Sequence, residues 1–555
     1  MNIDFEAIIM CAALTCMIPG YSKSEPADLI IRGGRVYTMN PREPLVEAVA
    51  MLGNRIVYAG SAQGAESFRA ASTSVLDASG LTILPGLIDA HAHLLSLGRS
   101  LSELDLAGAT SAAQIRQMVL ERQKLAQPGV WISGRGWDQN DWPAKEFPSW
   151  RDLEGTEANP AYLRRVDGHA AWLNKTGLDL CGINATTPDP PGGRILRDSS
   201  GNPTGVLIDN AISLAEGALP KPSGEEMMAW ARAAIRECHR CGLVEVGDAG
   251  VDSATLEVYR KLQENGELTL RIYAMLSDED PAFLNLWLEK GPDTTGQHLM
   301  IRAIKIYADG ALGSRGAALF EPYTDDPANR GLMIHEPDYF YQMAKRALES
   351  GFQLCTHAIG DAANRAVLDA YARALKEKPA PDRRLRIEHC QVIALADVPR
   401  FGQLDVIASM QPTHATSDMP WAEDRLGGER IKGAYAWRKL LDSGARLAFG
   451  SDFPVESPDP LWGIYAAVTR QDHDGNPAGG WHPEEKMTVE EAVRGFTIDA
   501  AYAEFAESLR GSIEVGKLAD FTLLDHDIFA VSPSEILKTM VIYTIVDGKI
   551  VYNRR

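Results

Sequence analysis

Eight short apolar runs, each closing on polar residues and most followed by an amphipathic stretch, dominate the middle of this chain. They read LTILPGLIDAHAH, GLVEVGDAG, LRIYAML, IRAIKIYADG, FQLCTHAIGD, LRIEHCQ, VIASMQPTH and RLAFGSDFP. Between them lie segments such as EPDYFYQMAKRALESG and AANRAVLDAYARALKEK, with apolar residues three and four apart, the spacing of a helix face. Strand followed by helix, repeated, makes neighbouring strands parallel, and eight such units predict closure into an α/β fold of the (β/α)8, TIM-like barrel type. His, Asp and Lys stand at the C-terminal ends of these runs, the end at which a barrel presents its catalytic face.

Two departures from the repeat set the domain plan. About 150 residues separate the first run from the second, far more than one crossover helix needs. A large insertion after the first barrel strand, about 101–219, is therefore expected above the barrel mouth; it is rich in Trp, Pro and Gly. The flanks alternate differently: DLIIRGG, RVYTMN and AVAMLGNRIVYAG near the start, ADFTLLD and MVIYTIVDGKIVYN near the end, with Gly-containing turns between them. That is the period of antiparallel strands. Two half-sheets at opposite ends can pair into one small β-sandwich domain, so the expected boundaries are 27–82 and 506–555 for the sandwich and 83–505 for the barrel.

Segment 1–26 is an uncertain leader. Its uncharged stretch IIMCAALTCMIPG has the length of a signal-peptide core but is too short to span a membrane. Asp4 and Glu6 precede it where a signal peptide carries Lys or Arg, and no clear cleavage site follows, which slightly favours a cytoplasmic location over an envelope one. The formal charge of −20 and the absence of a basic cluster argue against a nucleic-acid partner. Seven cysteines in 555 residues do not make a disulfide framework, and the single CxxC, Cys238 to Cys241, lacks the second half of a structural zinc site. No transmembrane span is expected, and a homo-oligomer is allowed.

The chemistry is carried by residues at strand ends. His91 and His93 are two apart on a strand, so both imidazoles face one point, a grip suited to a divalent ion of zinc type. Alone such a pair says little. His357, His389 and Asp452 each end a separate run, and the coincidence of all five at one end of a barrel predicts a metal cluster. Lys305, inside the apolar run RAIKIYADG, is costly to bury as an ammonium ion. It either snorkels to the mouth or pairs with Asp309, or, the favoured reading, is carboxylated on its amine to give an anionic oxygen ligand between two cations.

The motifs LPGLIDAHAHL, KIYADGALGSRGAAL, THAIGDAANRAVLDA, RIEHCQ and FGSDFPVESPDP resemble, in order, those of the amidohydrolase superfamily, and within it the amidohydrolase family 3 branch that includes N-substituted formamide deformylases. The resemblance runs from Ala27 to the C-terminus. It implies that His91, His93 and Asp452 hold one metal and that His357 and His389 hold a second. Lys305, N-carboxylated, would bridge the two. Zinc is the favoured ion, with one or two per chain. The expected reaction is hydrolysis of a small amide, formamide or N-acyl amine by metal-activated hydroxide, with Asp452 as general base and then acid. Trp137, Asp167, His169, Asp309 and Ser314, in expected mouth loops, are candidate substrate contacts. Ester or lactone hydrolysis on the same site is an alternative, as is a non-catalytic metal- or ligand-binding regulator.

Overall fold

In the computed structural model, residues 25–554 are described apart from 167, 169, 191–192 and 380–381, together with the backbone alone of residue 140. The leader segment, Asp167 and His169 therefore lie outside the described residues. The eight apolar runs each contain one strand of a single parallel sheet. In order these are Leu87–Ala92, Leu243–Val251, Arg271–Ser277, Leu299–Tyr307, Gln353–Ala358, Arg386–His389, Ile407–Met410 and Leu447–Phe449. Each pairs with the next in sequence order.

The sheet is a nearly closed (β/α)8 barrel, and the seam between its last and first strands is joined by loop and side-chain bonds. Asp452 N donates to the His91 carbonyl at 2.8 Å and His93 N to that of Phe453 at 2.9 Å. The buried Asp89 carboxylate accepts from Ser451 N at 3.0 Å and from Ser451 Oγ at 2.6 Å. Gly450 is required at this crossing, because a Cβ there would stand 2.5 Å from Asp89 Oδ1 and 2.6 Å from His91 N.

The helices outside the barrel bury the faces their spacing dictates. Asp361–Glu377 buries Ala363, Val367, Leu368, Ala370, Tyr371 and Ala374 against neighbouring elements. Gly224–Arg240 starts at a capping box in which Ser223 and Glu226 satisfy each other's backbone N–H groups. Its last turn carries Cys238 and Cys241, both buried as free thiols, as are Cys355 and Cys390.

The insertion after the first strand forms its own six-stranded sheet. Its order runs Gly193–Arg197, Pro203–Asp209, Ala170–Leu173, Ala161–Arg165, Ile132–Trp137, Leu104–Asp105. The chain ends form the third sheet. Thr82–Pro85 from the N-terminal part pairs antiparallel with Phe521–Leu524 from the C-terminal part, so the two halves join as one hydrogen-bonded domain.

That domain lies against the N-terminal ends of the barrel strands. Leu87 N donates to Thr522 Oγ1 at 3.2 Å, and Thr522 Oγ1 donates to the Gly242 carbonyl at 2.6 Å. Buried Arg271 donates to both oxygens of Asp520, at 2.9 and 3.0 Å, and to Asp547 at 2.5 Å, while His298 Nε2 lies 2.8 Å from the other Asp547 oxygen. The opposite face of the barrel is left to the loops. No helix among the described residues is long and apolar enough to cross a membrane.

Candidate metal centre

At the C-terminal ends of the strands, the barrel brings together His91 and His93 (first strand and its loop), Lys305 (fourth), His357 (fifth), His389 (sixth) and Asp452 (after the eighth). The imidazole centroids of His91 and His389 are 4.8 Å apart, those of His357 and His389 4.6 Å, and those of His91 and His93 5.6 Å. Lys305 Nζ is buried 3.4 Å from His91 Nε2. His389 and Asp452 hold left-handed backbone, φ 75° and 58°, as does Cys390 at 48°. Non-glycine residues keep such conformations only where the surroundings enforce them.

Protons are disposed alike around three of the imidazoles. His93 Nδ1 bonds the Ala249 carbonyl at 2.9 Å, His389 Nδ1 the Gln411 Oε1 at 2.8 Å, and His91 Nδ1 the Glu388 carboxylate at 2.6 Å. Each partner is an acceptor, so each ring donates from Nδ1 and turns the lone pair of Nε2 into the site. There, His93 Nε2 faces Asp452 Oδ1 at 3.1 Å and His91 Nε2 faces the same oxygen at 3.5 Å. Electron pairs that converge this closely with no proton between them repel unless a cation lies among them. His357 Nε2 is likewise buried without a hydrogen-bond partner. The donor atoms of His91, His93 and Asp452 lie within 4.8 Å of one another, as do those of His389, His414 and Asp452. N and O donors in this arrangement fit a zinc-like divalent ion.

Electrostatics keeps the donors in their ligand forms. Burial, then the Lys305 charge, lowers His91 to about 4 and His357 to about 3, so both are neutral at pH 7. Burial lowers the pKa of Lys305.

Three of the expected substrate contacts lie among the described residues, and two of them are buried. Trp137 does not line the mouth: it is fully buried among Trp142 and Trp172 in the core of the insertion, its Nε1 donating to the Leu163 carbonyl at 2.8 Å. Asp309 is buried as well, accepting from the backbone N–H of Ile359, Gly360 and Ala318 at 2.8–2.9 Å, and so it ties two loops together. Its Oδ1 lies 3.7 Å from His357 Nε2. Ser314 is exposed, with its Oγ donating to the Ala311 carbonyl at 3.3 Å.

Several site residues escaped the sequence reading. His414, on the helix Pro412–Asp418, approaches Asp452 Oδ2 at 3.8 Å through a buried, unpartnered Nε2; its signal was present, a histidine closing the seventh run. Glu388 and Gln411 act on the imidazoles from behind. Glu388 had a signal too, since it is an acid inside an apolar strand like the Lys305 amine. Tyr307 stands over the site, 4.7 Å from Lys305 Nζ to its ring centroid. A groove of about 360 Å³ lies between the insertion and the loop after the eighth strand, lined in part by Leu97, Leu101, Arg135, Pro454, Val455 and Glu456.

The family model described as the amidohydrolase family matches residues 74–552. YtcJ of Bacillus subtilis, an amidohydrolase by name, is 34% identical over 95% of this chain and 99% of its own length. The N-substituted formamide deformylase of Arthrobacter pascens is 30% identical, covering 95% of this chain and 98% of its own. The crystal structure of an uncharacterized metal-dependent hydrolase from Pyrococcus horikoshii superposes with a TM-score of 0.76 at 27% identity, over 91% of this chain and 99% of that one.

Proposed function

The chain belongs to the amidohydrolase family, and from that membership we propose that it hydrolyses the C–N bond of a small N-formyl or N-acyl amine with a zinc-type centre. The observation that carries the metal is the convergence of His91 Nε2, His93 Nε2 and Asp452 Oδ1 as facing lone pairs. His91, His93 and Asp452 would hold one ion. His357 and His389 would hold a second, with Lys305 carboxylated on Nζ to supply the oxygen shared between them. A bound divalent cation supplies two things here, polarisation of the substrate carbonyl and acidification of the attacking water.

The chain's own residues do the remainder. Asp452 accepts the proton that the water gives up as its oxygen bonds to the carbonyl carbon. When the C–N bond breaks, Asp452 returns that proton to the leaving nitrogen, so the products are a carboxylic acid and an amine. The groove beside Val455 and Glu456, lined by apolar and charged residues alike, would take the substituent on nitrogen. The name of the Arthrobacter relative makes N-substituted formamides the first substrates to try.

Elemental analysis of the purified protein, paired with amine release from formamides and N-acyl amino acids, tests the reading. One or two zinc-like ions per chain with amine release supports it, and the count separates the mononuclear from the binuclear form. Absence of bound metal after metal-replete purification defeats it.

A further inference from the structure

The imidazoles are backed unequally. His93 and His389 lean on neutral acceptors, a backbone carbonyl and the Gln411 amide. Of these three rings His91 alone leans on a carboxylate, Glu388 Oε2 at 2.6 Å. Both side chains are wholly buried. Arg386, also fully buried, in turn fixes Glu388. Its Nε donates to Glu388 Oε1 at 2.8 Å and its Nη2 to Oε2 at 3.0 Å, while the same Nη2 reaches the Ala90 carbonyl at 2.8 Å and Ser409 Oγ at 2.9 Å. The clamp thus spans the interior of the barrel from the sixth strand to the first and seventh.

We propose that Glu388, locked by Arg386, is a positioning residue that fixes His91 as its Nδ1–H tautomer and makes its Nε2 a stronger donor than that of His93 or His389. A carboxylate accepting the Nδ1 proton pushes electron density to Nε2, which an amide or carbonyl does far less. Burial strengthens the effect, because no water competes for the imidazole proton. The guanidinium explains why an acid is tolerated inside the barrel at all. Burial opposes the Glu388 charge, and Arg386, then His91, more than offset it. The residue does not touch the reacting atoms; it acts through His91.

This inference rests on the metal-centre reading above, and the two can fail separately. The tautomer is read first, on metal-free wild-type protein, from the imidazole nitrogen resonances, with His91 assigned by its loss in His91→Gln. A proton on Nδ1 is expected; an Nε2–H tautomer overturns the proposal without any variant of the clamp. Chelator competition then measures zinc affinity in wild type, Glu388→Gln and the double variant Arg386→Met/Glu388→Gln, which leaves no stranded guanidinium. Both variants should bind zinc about 10–100-fold more weakly than wild type. Wild-type affinity in both overturns the proposal, as does weak binding in the single variant that the double variant restores, since the fault would then lie with unpaired Arg386. If wild type binds no zinc, the metal-centre reading itself has failed.

Discussion

At the scale of single residues, the site is a set of imidazoles gathered round the carboxylate of Asp452. Asp452→Asn keeps the shape of that group and removes its capacity to take a proton. Metal content is expected to stay near wild type while kcat falls by about 10²–10⁴-fold; unchanged turnover in a steady-state assay would remove Asp452 from its role as base. Lys305→Ala removes the proposed bridging oxygen. Bound metal should fall, with partial recovery on adding a short-chain carboxylate that can enter the space left behind; retention of both metal and activity would sink the carboxylated-lysine idea. The strand-end histidines and Asp452 were legible because each closes an apolar run, a pattern visible without any fold. Glu388 showed only as an acid inside an apolar strand and Gln411 not at all, since each meets its imidazole only once the barrel brings separate strands together. Trp137 misled because an aromatic among Gly and polar residues reads as a loop, whereas the fold places it in the core of a small sheet.

At the scale of elements, the eight strands followed from the eight runs, but the seam that completes the barrel did not. It depends on Asp89 reaching across to Ser451 and on Gly450 leaving room for it. Gly450→Ala should cost about 1–3 kcal/mol through overpacking, seen as a lower midpoint in denaturant. Because Asp452 lies two residues on, bound metal should drop as well. A midpoint equal to wild type would show that the seam yields more easily than its contacts suggest. The insertion was legible as an extra segment but not as a six-stranded sheet. Its strands are short and carry Gly and Arg, as in Ile132–Trp137, ISGRGW, so the alternation that betrays a strand is faint.

At the scale of the whole molecule, one ionic knot fastens the sheet built from the chain ends to the barrel floor. Asp547 is partly buried, which opposes its charge, yet the hydrogen bond from His298 and the charge of Arg271 prevail and hold its carboxyl below its ordinary 3.8. A group depressed in the folded state stabilises fully above its unfolded value and loses that contribution as pH falls towards the folded one. Asp547→Asn should therefore cost about 1–3 kcal/mol at neutral pH, and the gap from wild type should narrow between about pH 5 and about pH 3. Thermal unfolding of both proteins across that range is the check; a gap that stays constant would separate the loss from the carboxylate charge.

The same sheet sets a timetable for biosynthesis. Leu87, which opens the barrel, donates its backbone N–H to Thr522, 435 residues later, and the neighbouring strand Thr82–Pro85 waits for Phe521–Leu524 to cover one of its edges. On a ribosome adding about 5–20 residues each second, that partner emerges on the order of half a minute after the edge it must cover. Throughout that interval an unsatisfied strand edge is presented to whatever lies nearby, and nascent chains crowded on one message are each other's nearest neighbours. Synthesis rate and shielding by chaperones would therefore bear on the yield of this enzyme independently of how stable the finished molecule is.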